Sequence, residues 1–187
     1  MRERAKSQEE TRQRIVEATM HLHEEVGPRA TTISANAEKA GVQRLTVYRH
    51  FPDETAVFQA CTSHWFSLNP PPDPRRWSGM DDPSEKLKSA LSAFYSYFRA
   101  TRRMWTGAYR DVADVPALQG PMKEYTDYVA SLTDDLAQAF AGKPKEKLVK
   151  TIGHALAFPT WSDLDERGIN DSAKVDLVLD WVEGTLR

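Results

Sequence analysis

The chain holds a single cysteine, Cys61, among its 187 residues. No intrachain disulfide can form, so the fold must be held by packing. A chain of this length buries enough surface to do that without a staple. Long apolar runs are missing too, and nothing approaches the ~18 residues of a membrane-crossing helix. The opening stretch MRERAKSQEETRQR is too polar for a secretory signal. Neither sign of charge dominates, and the formal net charge is -2. Bulk positive charge therefore cannot be what holds a nucleic acid, although a local basic face is compatible with this balance. A soluble, cytoplasmic protein of one or two small domains is expected.

Catalytic and ligating patterns are equally scarce. There is no G-x-S-x-G, and Gly142-Lys143 lacks the earlier glycine and the Ser/Thr of a phosphate loop. His21 and His23 are two residues apart, so on a helix they point to opposite sides and cannot share a metal. The acid pairs Asp134-Asp135 and Asp163-x-Asp165 suit helix surfaces. No enzyme activity, cofactor or metal is expected.

Strand signals are missing as well: period-two alternation is not sustained, and no Asn-Gly or Asp-Gly turn occurs. What is present is helical spacing. Ile15, Ala18, Leu22 and Val26 form a stripe ended by Gly27-Pro28. Thr31 or Thr32 can cap a short helix through Ala40, with Gly41 as its stop. Another runs from about Gln43 to Phe51. Pro52-Asp53 then opens a fourth, with Val57, Cys61 and Trp65 on one side. Residues 69–83 contain five prolines and must be loop. Asp82-Pro83-Ser84-Glu85 reads as a helix start. Leu87, Leu91, Phe94 and Phe98 follow as a stripe, and residues 105–118 read as short helix and turn. Met122, Tyr125, Val129, Leu132, Leu136 and Phe140 form a long amphipathic pattern closed by Gly142 and Pro144. A further helix carries Leu148, Ile152, Ala155 and Leu156, with Pro159 as its kink or end. Asn170 or Asp171 can cap a last helix with Val175, Val178, Val182 and Leu186 on one side.

Residues 31–52, TTISANAEKAGVQRLTVYRHFP, hold the informative constellation. Two short helices joined at one glycine match a helix-turn-helix. Ala37 lets the helices approach, and Val42 and Val47 anchor the second on the first. Gln43, Arg44, Thr46, Tyr48, Arg49 and His50 are left to point elsewhere. Such a helix suits the major groove, where Arg pairs with guanine, Gln with adenine, and a Thr methyl meets thymine. Residues 1–66 are neutral, with nine cations and nine acids, but residues 39–52 hold Lys39, Arg44 and Arg49 and no acid. Arg2, Arg4 and Lys6 read as a basic arm ahead of the first helix.

These residues resemble the tetracycline-repressor-type (TetR) family of transcriptional regulators. The likeness spans about Thr11 to Ala60: Ala18, Leu22 and Glu25-x-Gly27, then Thr31-Thr32-Ile33, Ala37-x-x-Ala40-Gly41-Val42, and above all Thr46-Val47-Tyr48-Arg49-His50-Phe51-Pro52. It extends weakly to residues 153–161. The resemblance implies a bacterial, all-α homodimer that binds a palindromic operator in double-stranded DNA. It implies an N-terminal three-helix helix-turn-helix domain followed by a C-terminal antiparallel helical bundle. Gln43, Arg44 and Leu45 fall where members contact bases, and Thr32, Tyr48 and His50 where members contact phosphates. The chain departs from the common pattern at His23 (often aromatic), Asn36 (often apolar), Leu45 (often small) and Glu54-Thr55 (where a lysine is common). A buried Asn36 would need a partner, and Glu54 would weaken backbone affinity.

The expected division is residues 1–52 for DNA binding, 53–69 as a linking helix, and 70–187 for ligand binding and dimerisation. Residues 67–187 hold 13 of the 18 aromatics. Pockets for small molecules are mostly apolar with a few polar tips. Phe94, Phe98, Trp105, Tyr109, Tyr125, Tyr128 and His154 are therefore the pocket candidates for a small apolar or aromatic effector. Ile152, Leu156, Trp161, Val178, Trp181 and Val182 are the dimer-interface candidates. The expected function is a homodimeric repressor released by its ligand. The alternative is a helical ligand carrier or enzyme whose helix-turn-helix is vestigial.

Overall fold

A computed structural model describes residues 2–141 and 146–186. Among these residues the chain is all-α, with no strand and nine helices. They are α1 (Arg2–Glu25), α2 (Ile33–Ala40), α3 (Arg44–His50), α4 (Glu54–Leu68), α5 (Pro83–Asp111), α6 (Pro116–Ala141), α7 (Glu146–Ala155), α8 (Phe158–Glu166) and α9 (Asp171–Leu186). Two compact units form, Met1–Pro70 with Arg103–Lys123, and Pro71–Arg102 with Glu124–Arg187.

In the first unit α1 packs on α2 and α4, and α2 packs on α3. The core is Ile15, Val16, Ala18, Ile33, Ala37, Ala40, Val47, Phe51 and Val57. The helix ends are closed by the residues the sequence offers. The Thr32 hydroxyl accepts the Ala35 N–H at 3.1 Å and so caps α2. Thr31 is spent elsewhere, its hydroxyl donating to the Gly27 carbonyl. Gly41 takes the left-handed conformation (φ 64°) that ends a helix cheaply only without a side chain. Asp53 caps α4 by accepting the Ala56 N–H at 2.8 Å. Asn36, buried where an apolar residue would be expected, has a partner: the Thr19 hydroxyl lies 2.9 Å from its Oδ1.

In the second unit Leu87, Leu91, Phe94 and Phe98 of α5 are fully buried, as their spacing requires. The Tyr95 hydroxyl donates to the Ala155 carbonyl at 3.1 Å, tying α5 to α7. The Tyr128 hydroxyl donates to the Pro72 carbonyl at 2.7 Å and pins the proline-rich stretch. Lys174 is 0% exposed. Its ammonium lies 2.7 Å from Asp165, 2.9 Å from Asp171 and 4.9 Å from the Trp161 ring centroid. Arg99 bonds Asp171 at 2.7 Å and Asp165 at 2.8 Å, and Arg102 bonds Asp165 at 2.8 Å, so Asp171 serves two cations and Asp165 three. Arg99 first, then Lys174 and Trp161, holds the Asp171 carboxyl far below the usual carboxylate range.

Several sequence expectations are corrected. Helix α1 begins at Arg2, so Arg4 and Lys6 ride on the helix and not on an arm ahead of it. The Arg2 side chain lies outside the described residues, as do Gly142 and Pro144. Val26 leaves the buried stripe and is 47% exposed, because α1 has already ended at Glu25. Helix α5 is kinked at Thr101, and residues 105–111 lie in its short second limb, with a turn following at 112–114. The apolar stripe there resumes with Trp105 and Ala108 after Thr101 leaves helical geometry (φ -112°, ψ 15°), which breaks the count across it. Pro159 neither kinks nor ends α7; it sits in the first turn of α8, where a missing N–H costs nothing. Asn170 caps α9, accepting the Ala173 N–H at 3.0 Å.

The Thr19–Asn36 bond gives a stability test. Thr19→Val removes a buried hydroxyl that lies 2.9 Å from the Asn36 amide oxygen and 2.8 Å from the Ile15 carbonyl, leaves the Asn36 amide without that partner, and should cost about 1–3 kcal/mol. Adding Asn36→Leu should recover most of that loss in urea melts, since both polar partners are then gone.

Candidate nucleic-acid interface and a cavity in the same unit

Helix α3 has seven residues. Val47 is fully buried and Phe51, just past the helix end, is buried beside it in the same core. The other face is open. Leu45 is 60% exposed and Tyr48 38%. Gln43, Arg44 and Arg49 are exposed, and Thr46 and His50 are half-buried. Thr32 is exposed at the start of α2 with its hydroxyl engaged as the cap. An Arg44 N–H reaches the Tyr48 hydroxyl at 3.4 Å, and its guanidinium lies 5.7 Å from the ring centroid. Lys39 pairs with Glu25 at 2.7 Å, so part of the basic run is spent inside the unit. Arg44 and Arg49 carry the charge of the face.

The pocket candidates are divided between the units. Phe94 and Phe98 meet at a tilt of 59° with ring centroids 5.9 Å apart in the second, with Phe158 and Trp161 against Phe98. Tyr125 is buried and Tyr128 half-buried there. His154 is exposed beside the Thr160 hydroxyl. Trp105 and Tyr109 meet at a tilt of 47° with ring centroids 6.0 Å apart in the first unit. Of the dimer-interface candidates, Ile152, Leu156, Trp161, Val178 and Val182 are sealed in the core of their own unit. Their apolar spacing marks a buried face, and spacing alone does not say which partner buries it. Trp181 is half-buried and lines an open groove between α7 and α9 with Lys150, His154 and Asp180.

Of the pocket candidates, Trp105 lines a cavity in the first unit, whose other lining residues the sequence reading did not name as pocket residues. His23 of α1, Cys61 and Trp65 of α4, Trp105 of α5 and Met122 of α6 line it, with a volume of about 40 Å³. His23 stacks on Phe58 at 4.4 Å, and its Nδ1 lies 3.6 Å from Cys61 Sγ. Its Nε2 is buried and has no hydrogen-bond partner among the described residues. Trp65 meets Trp105 edge-on at 5.9 Å. Burial pushes the His23 imidazole down to about 4, against a smaller upward pull from Asp111. Burial likewise pushes the Cys61 thiol up to about 12. The signal was available: a histidine on an aromatic position of α1, and Cys61 and Trp65 four apart on one stripe.

A clasp of charges holds the turn after α1. Asp111 is buried and accepts from the Arg29 backbone N–H at 3.0 Å and from Arg110 at 2.7 Å. Arg110 also reaches the Val26 carbonyl at 3.1 Å. Gly27 has φ 92°, and a Cβ there would strike the Arg110 guanidinium and Asp111 carboxylate. The Arg110 hydrogen bond is the chief reason the Asp111 carboxyl sits below its ordinary range.

Two short helices at a left-handed glycine, the second anchored on one side and open on the other, define a helix-turn-helix domain. Residues 15–61 match the model of the bacterial regulatory proteins of the tetR family. Solved structures extend the likeness in fold to nearly the whole chain. A TetR-like transcriptional regulator from Rhodococcus sp. RHA1 is 21% identical at a TM-score of 0.68, covering 94% of this chain and 95% of its own. NalD, the secondary repressor of the MexAB-OprM multidrug efflux pump in Pseudomonas aeruginosa, is 19% identical at 0.65, covering 96% of each. The fatty acid degradation regulator FadR from Bacillus halodurans is 17% identical at 0.63, covering 94% of this chain and 96% of its own. No match was found among curated protein sequences. Residues 15–61 thus match the tetR-family model, and the chain shares the fold of these solved structures. No helix among the described residues is long and apolar enough to cross a membrane.

His23 makes stability depend on pH. Its folded value of about 4 lies below the usual 6.5. Between those values the unfolded chain binds a proton that the folded imidazole refuses, so stability falls as pH drops through that window. The full effect is roughly 3 kcal/mol. Urea melts at pH 7 and pH 4.5 should show His23→Phe losing less stability on acidification than the parent chain.

Proposed function

We propose that the protein is a homodimeric transcriptional repressor that reads a palindromic operator and is released by a small apolar or aromatic molecule. The observation that carries this reading is the open face of α3. Arg44, Leu45, Tyr48 and Arg49 project from a helix whose opposite side is locked by Val47. A helix so held offers Gln43, Arg44 and Leu45 to base edges and Thr32, Tyr48 and His50 to phosphates. Two symmetric copies are needed to read half-sites about one helical turn, ~34 Å, apart. The pairing surface would centre on the outer faces of the late helices around Trp181. Residues 1–52 then form the reading head, 53–69 the link and 70–187 the bulk of the regulatory domain, with the cavity at His23 beside the link.

The coupling follows from two helices. Helix α1 supplies Ile15 to the reading-head core and His23 to the cavity. Helix α4 supplies Val57 to the same core and Cys61 and Trp65 to the cavity. A molecule that widens the cavity strains both supports of α3 at once. It shifts the population only by its differential affinity for the two states. That NalD, a neighbour in fold, is by name a repressor agrees with this reading.

In-vitro selection on random duplex DNA tests the proposal. An enriched palindrome is expected, and binding without enrichment that fades steeply with salt would overturn it. Arg44→Ala should cost about 1–3 kcal/mol and relax preference at one base position. Tyr48→Phe should weaken all sequences alike. Competition assays against single-base operator variants separate the two patterns.

A further inference from the structure

Resting on the regulator reading, we propose that the effector is an uncharged, flat, largely apolar molecule whose one carbonyl-type oxygen accepts a hydrogen bond from His23 Nε2 in the α1–α4–α5–α6 cavity. Four observations lead there. The first is shape. Trp65, Phe66 and Trp105 meet one another edge-on, with ring centroids 5.0, 5.9 and 6.4 Å apart. A wall of ring faces and edges favours another flat ring system.

The second is charge. The lining residues are apolar save His23 and Thr62, and none carries a formal charge at neutral pH. Asp111, the acid whose field reaches His23, is already taken by Arg110 and the Arg29 N–H. A charged ligand would lose its water with no counter-charge to meet it.

The third is the direction of the hydrogen bond. A buried thiol held this far from ionising keeps its proton. Sulfur is a poor acceptor and an imidazole nitrogen a good one, so Cys61 S–H donates to His23 Nδ1 across 3.6 Å. The neutral ring then carries its own proton on Nε2. That atom is a buried donor with no partner among the described residues, and a carbonyl oxygen answers it.

The fourth is capacity. About 40 Å³ is room for a few waters at most, so the ligand must widen the cavity. Met104 and Met122 are in the wall, and unbranched thioether chains can retract to other rotamers. Widening is also what the coupling through α1 and α4 requires.

Three fused bicycles of one size separate these claims: 1-indanone offers only an acceptor, indole only a donor, and indane neither. Isothermal titration calorimetry on the full chain should find 1-indanone binding about tenfold tighter than indane or indole. In His23→Phe, which keeps the stack on Phe58, the three should bind alike, and His23→Gln should restore the preference through its amide N–H. Cys61→Val removes the S–H that fixes the tautomer, and indole should then gain on 1-indanone. Equal binding of the three to the parent chain, tighter binding of indole, binding of none, or a preference that survives His23→Phe would each overturn the proposal. Should His23→Phe not fold, the Cys61→Val comparison decides. The regulator reading is judged apart. An enriched palindrome with no 1-indanone preference sinks only the ligand assignment, whereas the preference without a palindrome sinks only the DNA reading.

Discussion

A seven-residue helix cannot hold itself together in water. Nucleating a helix fixes several residues for one hydrogen bond, and isolated helices shorter than about 12–15 residues are marginal. Helix α3 therefore exists because Val47 and Phe51 are buried against α1, α2 and α4. The elements on either side of α3 serve that need. Gly41 turns the chain tightly enough to bring α3 onto α2, and Asp53 starts α4 immediately after it. The face left over is free for recognition because the buried one does all the holding.

The dependence also explains where sensitivity collects. The same α1 and α4 that support α3 run on to His23, Cys61 and Trp65. A support that ended sooner would isolate α3 from the cavity. Polar groups on this path are few and matched, as with Thr19 and Asn36, or left open, as with His23 Nε2.

The helix-turn-helix was legible because its signals are local. Thr32, Gly41 and Asp53 act on neighbours a few residues away, and Val47 and Phe51 follow from helical spacing. The all-α class was legible for the same reason. The cavity was legible only in fragments, in Trp105 as a pocket candidate and in Cys61 and Trp65 on one stripe, because His23, Cys61 and Trp105 are far apart in sequence and nothing local brings them together. The late apolar residues misled in another way. Ile152, Leu156, Trp161, Val178 and Val182 have the spacing of a buried stripe, which a neighbouring helix of the same chain satisfies as well as a second copy would. The two limbs of α5 read as separate stretches in the sequence because the stripe shifts at Thr101, where the backbone leaves helical geometry. The arm was misjudged because three basic residues say nothing of whether the helix behind them has already begun.

The second unit holds together differently. Its interior includes a lysine, and burying an ammonium is costly unless its neighbours compensate. Asp165 and Asp171 do so, while Arg99 and Arg102 keep the two acids from leaving a surplus negative charge. One consequence is chemical. An amine inside such a cage is out of reach of acylating reagents and of any enzyme that would modify it. Lys174 therefore stays unlabelled in the folded chain while surface lysines react, and a tag on it marks a molecule whose second bundle has come apart.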